Sequence, residues 1–465
     1  MHSHGTKKYE IDMTHGPLTG KILLFSVPLM LSGILQLLFN AADIIVVGQF
    51  ASSYSVAAVG STVSLINLLV SVFMGLSVGV NVLVAHYYAV KNAKDVSDTV
   101  HTSVAISLLF GIVLGVFGFF IARPLLIWMG SPDEVIGLST LYMRVYFVGM
   151  PVNLLYNMAG AVLRAVGDTR RPLYYLTVAG IVNVIMNLVF VIVFRMDVAG
   201  VALATILSQA LSAFLVMRAL MRTEELYRFE WKKLSVSKQK LRRILHIGLP
   251  AGLQGTVFSV SNVLIQTQVN SFGALAMAGN AAAQNLEGFV YIAMNALYQA
   301  CVTFTSQNYS VLDFRRVRAV LLNCLAIVTA VGVVTGNLVS FFGPQLVRIY
   351  TAEPDAVAVG VTRLSVICAL YFICGIMDTI CGSIRGLGSA VLPMIVSILG
   401  ACGLRILLIW TVFRIPAYHS LGTLYALYPV TWTVTAIVHL ICFLVLYQKA
   451  VRHTDRLRAR QNEQW

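Results

Sequence analysis

Charged residues are scarce in this sequence, and their scarcity excludes most soluble classes of protein. Asp, Glu, Lys and Arg make up 11% of the 465 residues, against about 25% in an average soluble domain. Hydrophobic residues make up 58%, and the mean hydropathy is +0.82. This composition argues against a soluble enzyme, a disordered chain or a fibrous protein. It favours a chain that crosses a membrane many times.

Cysteine is absent from the first 300 residues, which argues against a disulfide framework. The seven later cysteines are odd in number and lie in apolar stretches, so we interpret them as small buried side chains. The sequence also has no P-loop and no H-E-x-x-H, and its histidines lack the spacing of metal ligands. We therefore expect no enzyme, no nucleic-acid partner, and no resident cofactor or metal centre.

Twelve apolar runs are long enough to cross a bilayer as helices. A spanning helix needs about 20 mostly apolar residues, and runs of this length far exceed a strand. We therefore predict an all-α, polytopic membrane protein with twelve transmembrane helices. The predicted spans are residues 22–47, 55–88, 100–121, 138–160, 172–195, 200–217, 247–272, 277–306, 317–343, 359–384, 391–413 and 424–447.

Basic residues alternate between the connections of these spans. Of the 33 Lys and Arg residues, 26 fall in the termini and the even-numbered connections. Arg144 and Arg405 fall inside spans, and Arg363 is counted among the five in odd-numbered connections. Because cytoplasmic connections carry the excess of positive charge, both termini are predicted to be cytoplasmic. The first 21 residues are polar, so we expect no cleavable signal peptide.

The chain repeats itself at an offset of 221 to 222 residues. The pattern R-x-x-G-x-x-x-x-P occurs at 164–172 and again at 385–393, and Pro28 pairs with Pro250. Six spans per repeat predict two pseudo-symmetric six-helix lobes, with a cleft between them and alternating access as the mechanism. The predicted divisions are an N-terminal tail at 1–21, an N-lobe at 22–217, a linker at 218–246, a C-lobe at 247–447 and a basic tail at 448–465.

Asp43 is one of three acids well inside the predicted spans. Ser32, Gln36, Asn40 and Asp43 follow helical spacing and form one polar stripe, and Pro28 should kink the same helix. A charge at mid-bilayer costs roughly 2.5–3.5 kcal/mol on insertion scales. We interpret Asp43 as a proton or cation site; the alternative is a carboxylate bonded to a neighbouring helix.

Asn183 and Asn187 lie one helical turn apart on the fifth predicted span. Their amides can offer oxygen atoms to a cation or hydrogen bonds to Asp43, while the alternative is a structural bond between helices. Gly167 and Gly388 lie in the two repeated turns, and we interpret both as hinges because glycine supplies unusual backbone angles.

Glu287 is the second intramembrane acid and belongs to a polar stripe on the eighth predicted span. A carboxylate flanked by aromatic rings suits an organic cation, so these residues predict a substrate cleft. The alternative is a structural polar seam between the seventh and eighth spans. The cleft residues are Gln284, Glu287, Phe289 and Tyr291 on the eighth span, with Asn262 and Gln266 on the seventh.

Asp378 is the third acid, and it lies in the tenth predicted span. It is either a proton site in the cleft or the partner of Arg405, because a buried arginine needs a partner. We favour the structural pairing for Arg405 and leave the role of Asp378 open.

These residues together resemble the multidrug and toxic compound extrusion (MATE) family over nearly the whole chain, and in particular its bacterial DinF-like branch. The resemblance rests on Val27-Pro28, on the first-span segment 40–48, on the repeated R-x-x-G turns and on the segments 278–280 and 285–289. It implies antiport of organic cations against H⁺ or Na⁺ by two six-helix lobes. By the same resemblance, Asp43 matches the coupling acid, Asn183 matches a cation-site amide, and Tyr142 and Thr205 fall in the pocket beside them.

The leading hypothesis is therefore an ion-coupled multidrug exporter in a bacterial plasma membrane. Its substrates would be cationic and amphipathic, Na⁺ would bind only transiently at Asp43, and a monomer is expected. The runner-up is a flippase for a lipid-linked precursor, which would need several basic residues inside spans where only Arg144 and Arg405 are counted. A receptor or membrane enzyme is a third class, for which no motif argues.

Overall fold

The computed structural model describes residues 9–50 and 53–462, and this part of the chain is helical with no strand. Two π-helical turns, Val189–Val193 and Ile398–Gly403, continue α6 and α14. The α-helices of the described residues are α1 (Leu18–Phe50), α2 (Ser53–Ala89), α3 (Ala93–Trp128), α4 (Asp133–Val148), α5 (Met150–Ala165), α6 (Arg170–Leu188), α7 (Asp197–Arg222), α8 (Lys238–Asn270), α9 (Ala274–Ser310), α10 (Phe314–Phe341), α11 (Gly343–Arg348), α12 (Pro354–Ile367), α13 (Tyr371–Gly386), α14 (Val391–Ser397), α15 (Leu404–Trp410) and α16 (Leu421–Asn462).

The helices match the predicted membrane spans. Within the described residues, nine helical stretches are long and apolar enough to cross a membrane, and two bent pairs raise the number to eleven. The pairs are α4 with α5, bent by 49°, and α12 with α13, bent by 47°. The polar helix α9 coincides with the remaining predicted span, 277–306. The all-α, polytopic fold predicted from the sequence is therefore confirmed.

The first helices of the two halves of the chain correspond to each other. The proline-containing helices α1 and α8 are both 33 residues long, and α2 and α9 are both 37 residues long. Asn92 caps the start of α3 and Asp313 caps the start of α10, each accepting a backbone N–H bond that would otherwise be unsatisfied. The duplication seen in the sequence is therefore also a duplication of local structure.

The described residues form two compact units, and two of the boundaries between them fall inside helices. Unit 1 comprises the described part of Met1–Asp12 with Leu31–Gly252, and unit 2 comprises Met13–Met30 with Leu253–Trp465 as far as it is described. Both α1 and α8 therefore pass from one unit to the other. The predicted divisions at 21 and 217, in contrast, follow the charge pattern rather than the packing.

The predicted linker at 218–246 is longer than the segment between helices. Helix α7 ends at Arg222 and α8 begins at Lys238, so 223–237 connects them. Tyr227 and Phe229 of this connection are buried in unit 1. Part of each predicted tail is helical, because α1 begins at Leu18 and α16 continues to Asn462. Residues 1–8 and 463–465 of those tails lie outside the described residues.

Large apolar side chains are exposed along many helices, where a soluble domain would turn polar residues outward. A contiguous apolar surface of this kind marks contact with a membrane or a partner. Examples are Phe120 (71% exposed), Phe341 (77%) and Leu399 (65%). These surfaces and the span lengths together describe a multi-pass membrane protein.

Candidate functional site

Asp43 accepts hydrogen bonds from two other helices of unit 1. The Asn187 amide on α6 donates to one carboxylate oxygen, and the Thr205 hydroxyl on α7 donates to the other at 3.5 Å. Asn187 also donates to Oδ1 of Asn183 at 3.3 Å. The structure thus brings four of the predicted coupling residues into one cluster, which we call the Asp43 cluster.

Close packing between α1 and α6 positions this cluster. A Cβ atom on Gly180 would lie only 1.8 Å from the ring of Phe39, so any larger residue here would require that ring to move. Asn183 and Asn187 follow Gly180 by about one and two helical turns, which places both amides toward α1. The π-helical turn Val189–Val193 begins two residues after Asn187, and such turns are frequent at functional sites.

The remaining predicted coupling residues differ in how they relate to Asp43. Tyr142 on α4 is buried and lies within electrostatic range of the carboxylate. Gln36 and Asn40 are exposed on α1, and within the described residues neither side chain bonds to Asp43. The hydrogen bonds of the Asp43 cluster therefore come from α6 and α7 rather than from the stripe on α1.

The Asp43 cluster is rich in oxygen atoms that can bind a hard cation. It offers the carboxylate, the Thr205 hydroxyl and two amide oxygens. Oδ1 of Asn187 is buried and has no hydrogen-bond partner among the described residues. A buried acceptor without a donor is costly. A Na⁺ ion, or a proton on the Asp43 carboxyl group with rotation of the amide, would satisfy it.

Glu287 lies in unit 2 and is paired with a buried arginine. Arg363 on α12 donates to both carboxylate oxygens, at 2.6 and 2.8 Å. Arg363 also donates to Asn280 at 2.8 Å, and Asn280 in turn donates to Gln266 at 2.8 Å. Arg363 was counted among the connections although it falls in the predicted span 359–384. That count is wrong, because the residue is 2% exposed and lies in a membrane-type helix pair.

The other predicted cleft residues lie in unit 2 without joining the Glu287 pair. Gln284, Phe289 and Tyr291 on α9 and Asn262 on α8 have exposed side chains. Gln266 reaches the pair through Asn280. Because Arg363 already neutralises Glu287, the carboxylate that was expected to attract an organic cation carries its own counter-ion.

The expected pairing of Asp378 with Arg405 is absent from the described residues. Arg405 on α15 donates from Nε and Nη2 to the Thr431 hydroxyl, at 3.3 and 3.1 Å. Asp378 on α13 instead lies within electrostatic range of Arg385 and of Tyr291. The pairing is therefore wrong, because the carboxylate lies toward Arg385 and Tyr291 while the guanidinium turns toward α16.

The predicted hinge glycines have positive φ values, and the predicted kink residue lies inside a helix. Pro28 is buried within α1. Gly167 and Gly388 adopt φ values of 93° and 87°, a region that favours glycine. A Cβ atom on Gly167 would lie 2.7 Å from the backbone nitrogen of Ile11, whereas the space around Gly388 is open. The two turns thus share a conformation but differ in their neighbours.

Glu10 is a half-buried carboxylate outside the predicted site residues. It lies before α1 and accepts hydrogen bonds from the hydroxyl groups of Tyr88 and Tyr227, both at 2.8 Å. Burial raises the pKa of Glu10 despite these two bonds. The local sequence around it is polar, so no apolar run or repeat marked it.

Comparison with known proteins identifies the family of this chain. The sequence profile of the MatE family matches residues 28–189 and residues 250–411, one match in each half of the chain. The chain belongs to the MATE family. Both matches begin at a proline that lies inside a helix, and the first contains Asp43, Asn183 and Asn187. The family assignment and the absence of enzymatic activity in such transporters agree with the sequence analysis.

Similar relatives cover most of the chain, and a solved structure shares its fold. The probable multidrug resistance protein YpnP of Bacillus subtilis is 29% identical over 396 residues, covering 85% of this chain and 88% of that protein. The probable multidrug resistance protein NorM of Thermotoga maritima is 24% identical, covering 87% of each chain. A crystal structure of a MATE protein in complex with MaL6 superposes with a TM-score of 0.89 at 19% identity, covering 97% of this chain and all of that one.

Proposed function

We propose that this MATE transporter exports small organic molecules in exchange for H⁺ or Na⁺, with Asp43 as the coupling carboxylate. The observation that carries this proposal is the Asp43 cluster, an intramembrane acid bonded to Asn187 and Thr205 on two other helices. Intramembrane acids are costly and are typical of ion pathways. The two relatives described above are named as probable multidrug resistance proteins, which supports small-molecule substrates.

Coupling follows if the ion and the substrate favour different conformations. A ligand shifts a conformational equilibrium only through unequal affinity for the two states. With Asp43 charged, Asn187 and Thr205 act as hydrogen-bond donors to it. A bound proton or Na⁺ neutralises the carboxylate and is stabilised by oxygen acceptors instead of N–H and O–H donors. The side chains of Asn187 and Thr205 on α6 and α7 must therefore reorient. We propose that this rearrangement drives alternating access.

The proposal includes a location and a substrate type. Positive charge in the termini and even-numbered connections supports cytoplasmic termini in a bacterial plasma membrane. Exposed Phe289 and Tyr291 of unit 2 support amphipathic substrates, whose positive charge such rings attract. We propose that the transporter acts as a monomer.

The second candidate function is a flippase for a lipid-linked precursor. One structural observation favours it, namely the number of buried arginines in unit 2. Arg363 and Arg385 are buried in unit 2 together with Arg405, so basic residues inside the helices are more numerous than predicted. However, Glu287 neutralises Arg363, and Arg385 donates to Tyr298 and Gln254. The ion-coupled exporter therefore accounts for more of the buried groups.

Proteoliposomes test the two candidates directly. Efflux of ethidium would be measured under a pH gradient alone and under a Na⁺ gradient alone, for the wild type, Asp43→Asn and Asp133→Asn. Asp133 is an exposed acid in the first turn of α4 and serves as the matched control. Transport driven by one gradient, lost in Asp43→Asn and kept in Asp133→Asn, is expected. Gradient-independent ethidium efflux by the wild type would contradict the proposal and favour the flippase.

A further inference from the structure

Arg405 is a buried cation with no acidic partner among the described residues. Its side chain is 1% exposed, in a helix of membrane-spanning type. Its hydrogen bonds, at 3.1 and 3.3 Å, both go to the uncharged hydroxyl of Thr431. A buried charge normally requires an opposite charge close by, because its desolvation is otherwise uncompensated.

A second arginine lies beside the same aromatic ring. The Arg405 guanidinium is 4.1 Å from the centroid of the Tyr428 ring, and the Arg363 guanidinium is 5.4 Å from the same centroid. Glu287 pairs with Arg363. The group formed by Glu287, Arg363, Arg405 and Tyr428 therefore carries two positive charges and one negative charge.

Nearby polar groups do not supply the missing negative charge. Asp378 forms no ion pair with Arg405, and the basic residue within its electrostatic range is Arg385. Cys374 and Cys402 lie within electrostatic range of Arg405, but a cysteine thiol is ordinarily uncharged at neutral pH. Unit 2 therefore leaves one buried positive charge unmatched at Arg405.

The surrounding atoms have unused donors for an oxyanion. The Tyr425 hydroxyl is buried and has no hydrogen-bond partner among the described residues, and the Arg363 guanidinium stacks 5.3 Å from the Tyr425 ring centroid. Nε and Nη2 of Arg405 share a single uncharged acceptor, the Thr431 hydroxyl. The guanidinium group binds carboxylate and phosphate in particular, because its N–H donors match their paired oxygens.

The helix that carries Arg405 is irregular just before it. The π-helical turn Ile398–Gly403 ends two residues before Arg405. Such turns are rare and are frequently found at functional sites. A π-helical turn also ends α6 beside the Asp43 cluster, so both halves of the chain carry this feature close to their buried charge.

We propose that unit 2 binds the carboxylate of a transported organic compound at Arg405, with Tyr425 as a second donor. Compounds that carry both a positive charge and a carboxylate would then be preferred over purely cationic ones. This proposal rests on the proposed export function only for the statement that the bound compound is transported. The binding itself requires no ion gradient.

A pair of dyes isolates the carboxylate. Rhodamine 110 has a free carboxylate, and rhodamine 123 is its methyl ester with the same cationic rings. Fluorescence polarisation with the purified full-length protein would give both affinities. We expect Arg405→Gln to weaken rhodamine 110 binding about tenfold and to change rhodamine 123 binding less than about twofold, as for loss of one charged hydrogen bond.

Four further variants sharpen this comparison. Arg405→Lys keeps the charge and should retain part of the preference for rhodamine 110. Glu287→Gln releases Arg363 from its partner and should strengthen rhodamine 110 binding or leave it unchanged. Arg414→Gln removes an exposed arginine that stacks 4.3 Å from the Trp410 ring centroid, and it should change neither affinity. Thr431→Val removes the acceptor that orients Arg405 and should reduce the preference while keeping the charge.

Three results would overturn the proposal. The first is equal binding of the two dyes by the wild type, and the second is an unchanged rhodamine 110 affinity in folded Arg405→Gln. The third is competition by phosphatidylglycerol that disappears in Arg405→Gln, which would assign the site to a lipid headgroup. If Arg405→Gln does not fold, it will lose rhodamine 123 binding as well. The preference of Thr431→Val for rhodamine 110 over rhodamine 123 then tests the proposal. Normal dye binding by Asp43→Asn would separate this site from the coupling proposal.

Discussion

Arg363 and Glu287 form a two-bond ion pair inside unit 2, with nitrogen–oxygen distances of 2.6 and 2.8 Å. Their side chains are 3% and 10% exposed, so the pair is shielded from solvent. Removing one member of a buried pair leaves an uncompensated charge, which costs more than removing both. This asymmetry distinguishes a structural pair from a substrate-binding carboxylate.

Glu287→Gln or Arg363→Gln alone should therefore destabilise the protein by about 3–5 kcal/mol. The double variant, with two neutral amides, should recover a large part of that loss. Thermal unfolding of the four proteins in one detergent would give the coupling between the two residues. Additive losses in the double variant would show that the two side chains do not stabilise each other.

Gly180 should be essential for bringing the Asn183 and Asn187 amides to Asp43. A Cβ atom at this position would overlap the Phe39 ring at 1.8 Å, so Gly180→Ala should push α6 away from α1 at a cost of about 1–3 kcal/mol. Cation-dependent ethidium binding should weaken, and Phe39→Ala in the same chain should restore it. Gly137→Ala, at an exposed position with open space, is the control. Unchanged cation dependence in Gly180→Ala would refute this role.

The stability that the folded protein gains from holding Glu10 protonated should be lost as the pH rises. Burial gives Glu10 a higher pKa in the folded protein than in the unfolded chain, so the folded state holds the proton more tightly. Its contribution is complete below the usual pKa of a glutamate and is lost as the pH rises to the raised value. Glu10→Gln should therefore match the wild type near pH 4 and exceed its melting temperature near pH 8. Melting scans with the exposed Glu224→Gln as control test this; a pH-independent difference would contradict it.

The two hinge glycines should respond differently to the same substitution. Both have positive φ, so alanine at either position should cost roughly 1–2 kcal/mol in backbone strain. Gly167→Ala should cost more, because its Cβ atom would also contact the backbone of Ile11 at 2.7 Å. Melting temperatures of the two variants measure the difference. An equal or larger loss for Gly388→Ala would show that the contact with Ile11 is unimportant.

The fold was predictable from the sequence because the bilayer imposes a simple length and composition. Apolar runs of span length marked the helices, and the proline and arginine-glycine repeats marked the duplication. The unit boundaries were not predictable in the same way, since α1 and α8 each continue without interruption from one unit to the other. Hydropathy detects a helix but not the neighbours against which its two ends pack.

The Asp43 cluster was partly predictable, since helical spacing put Asn183 and Asn187 on one face and the family resemblance added Thr205. The partners of the acids in unit 2 were not. Arg363 was counted with a connection although the predicted span 359–384 contains it, so Glu287 was left without a partner. Ion pairs between α9 and α12 depend on tertiary packing, which the spacing along a single helix does not specify.

Linkage between cation and substrate at Asp43 is the most direct test of this account. Ethidium affinity of the purified protein would be measured at low and high proton concentration, and with NaCl replaced by choline chloride at constant ionic strength. One of the two cations should lower ethidium affinity about tenfold in the wild type and have no effect in Asp43→Asn, since binding linkage is reciprocal. The same cation dependence in Asp43→Asn would contradict the assignment of Asp43 as the coupling residue.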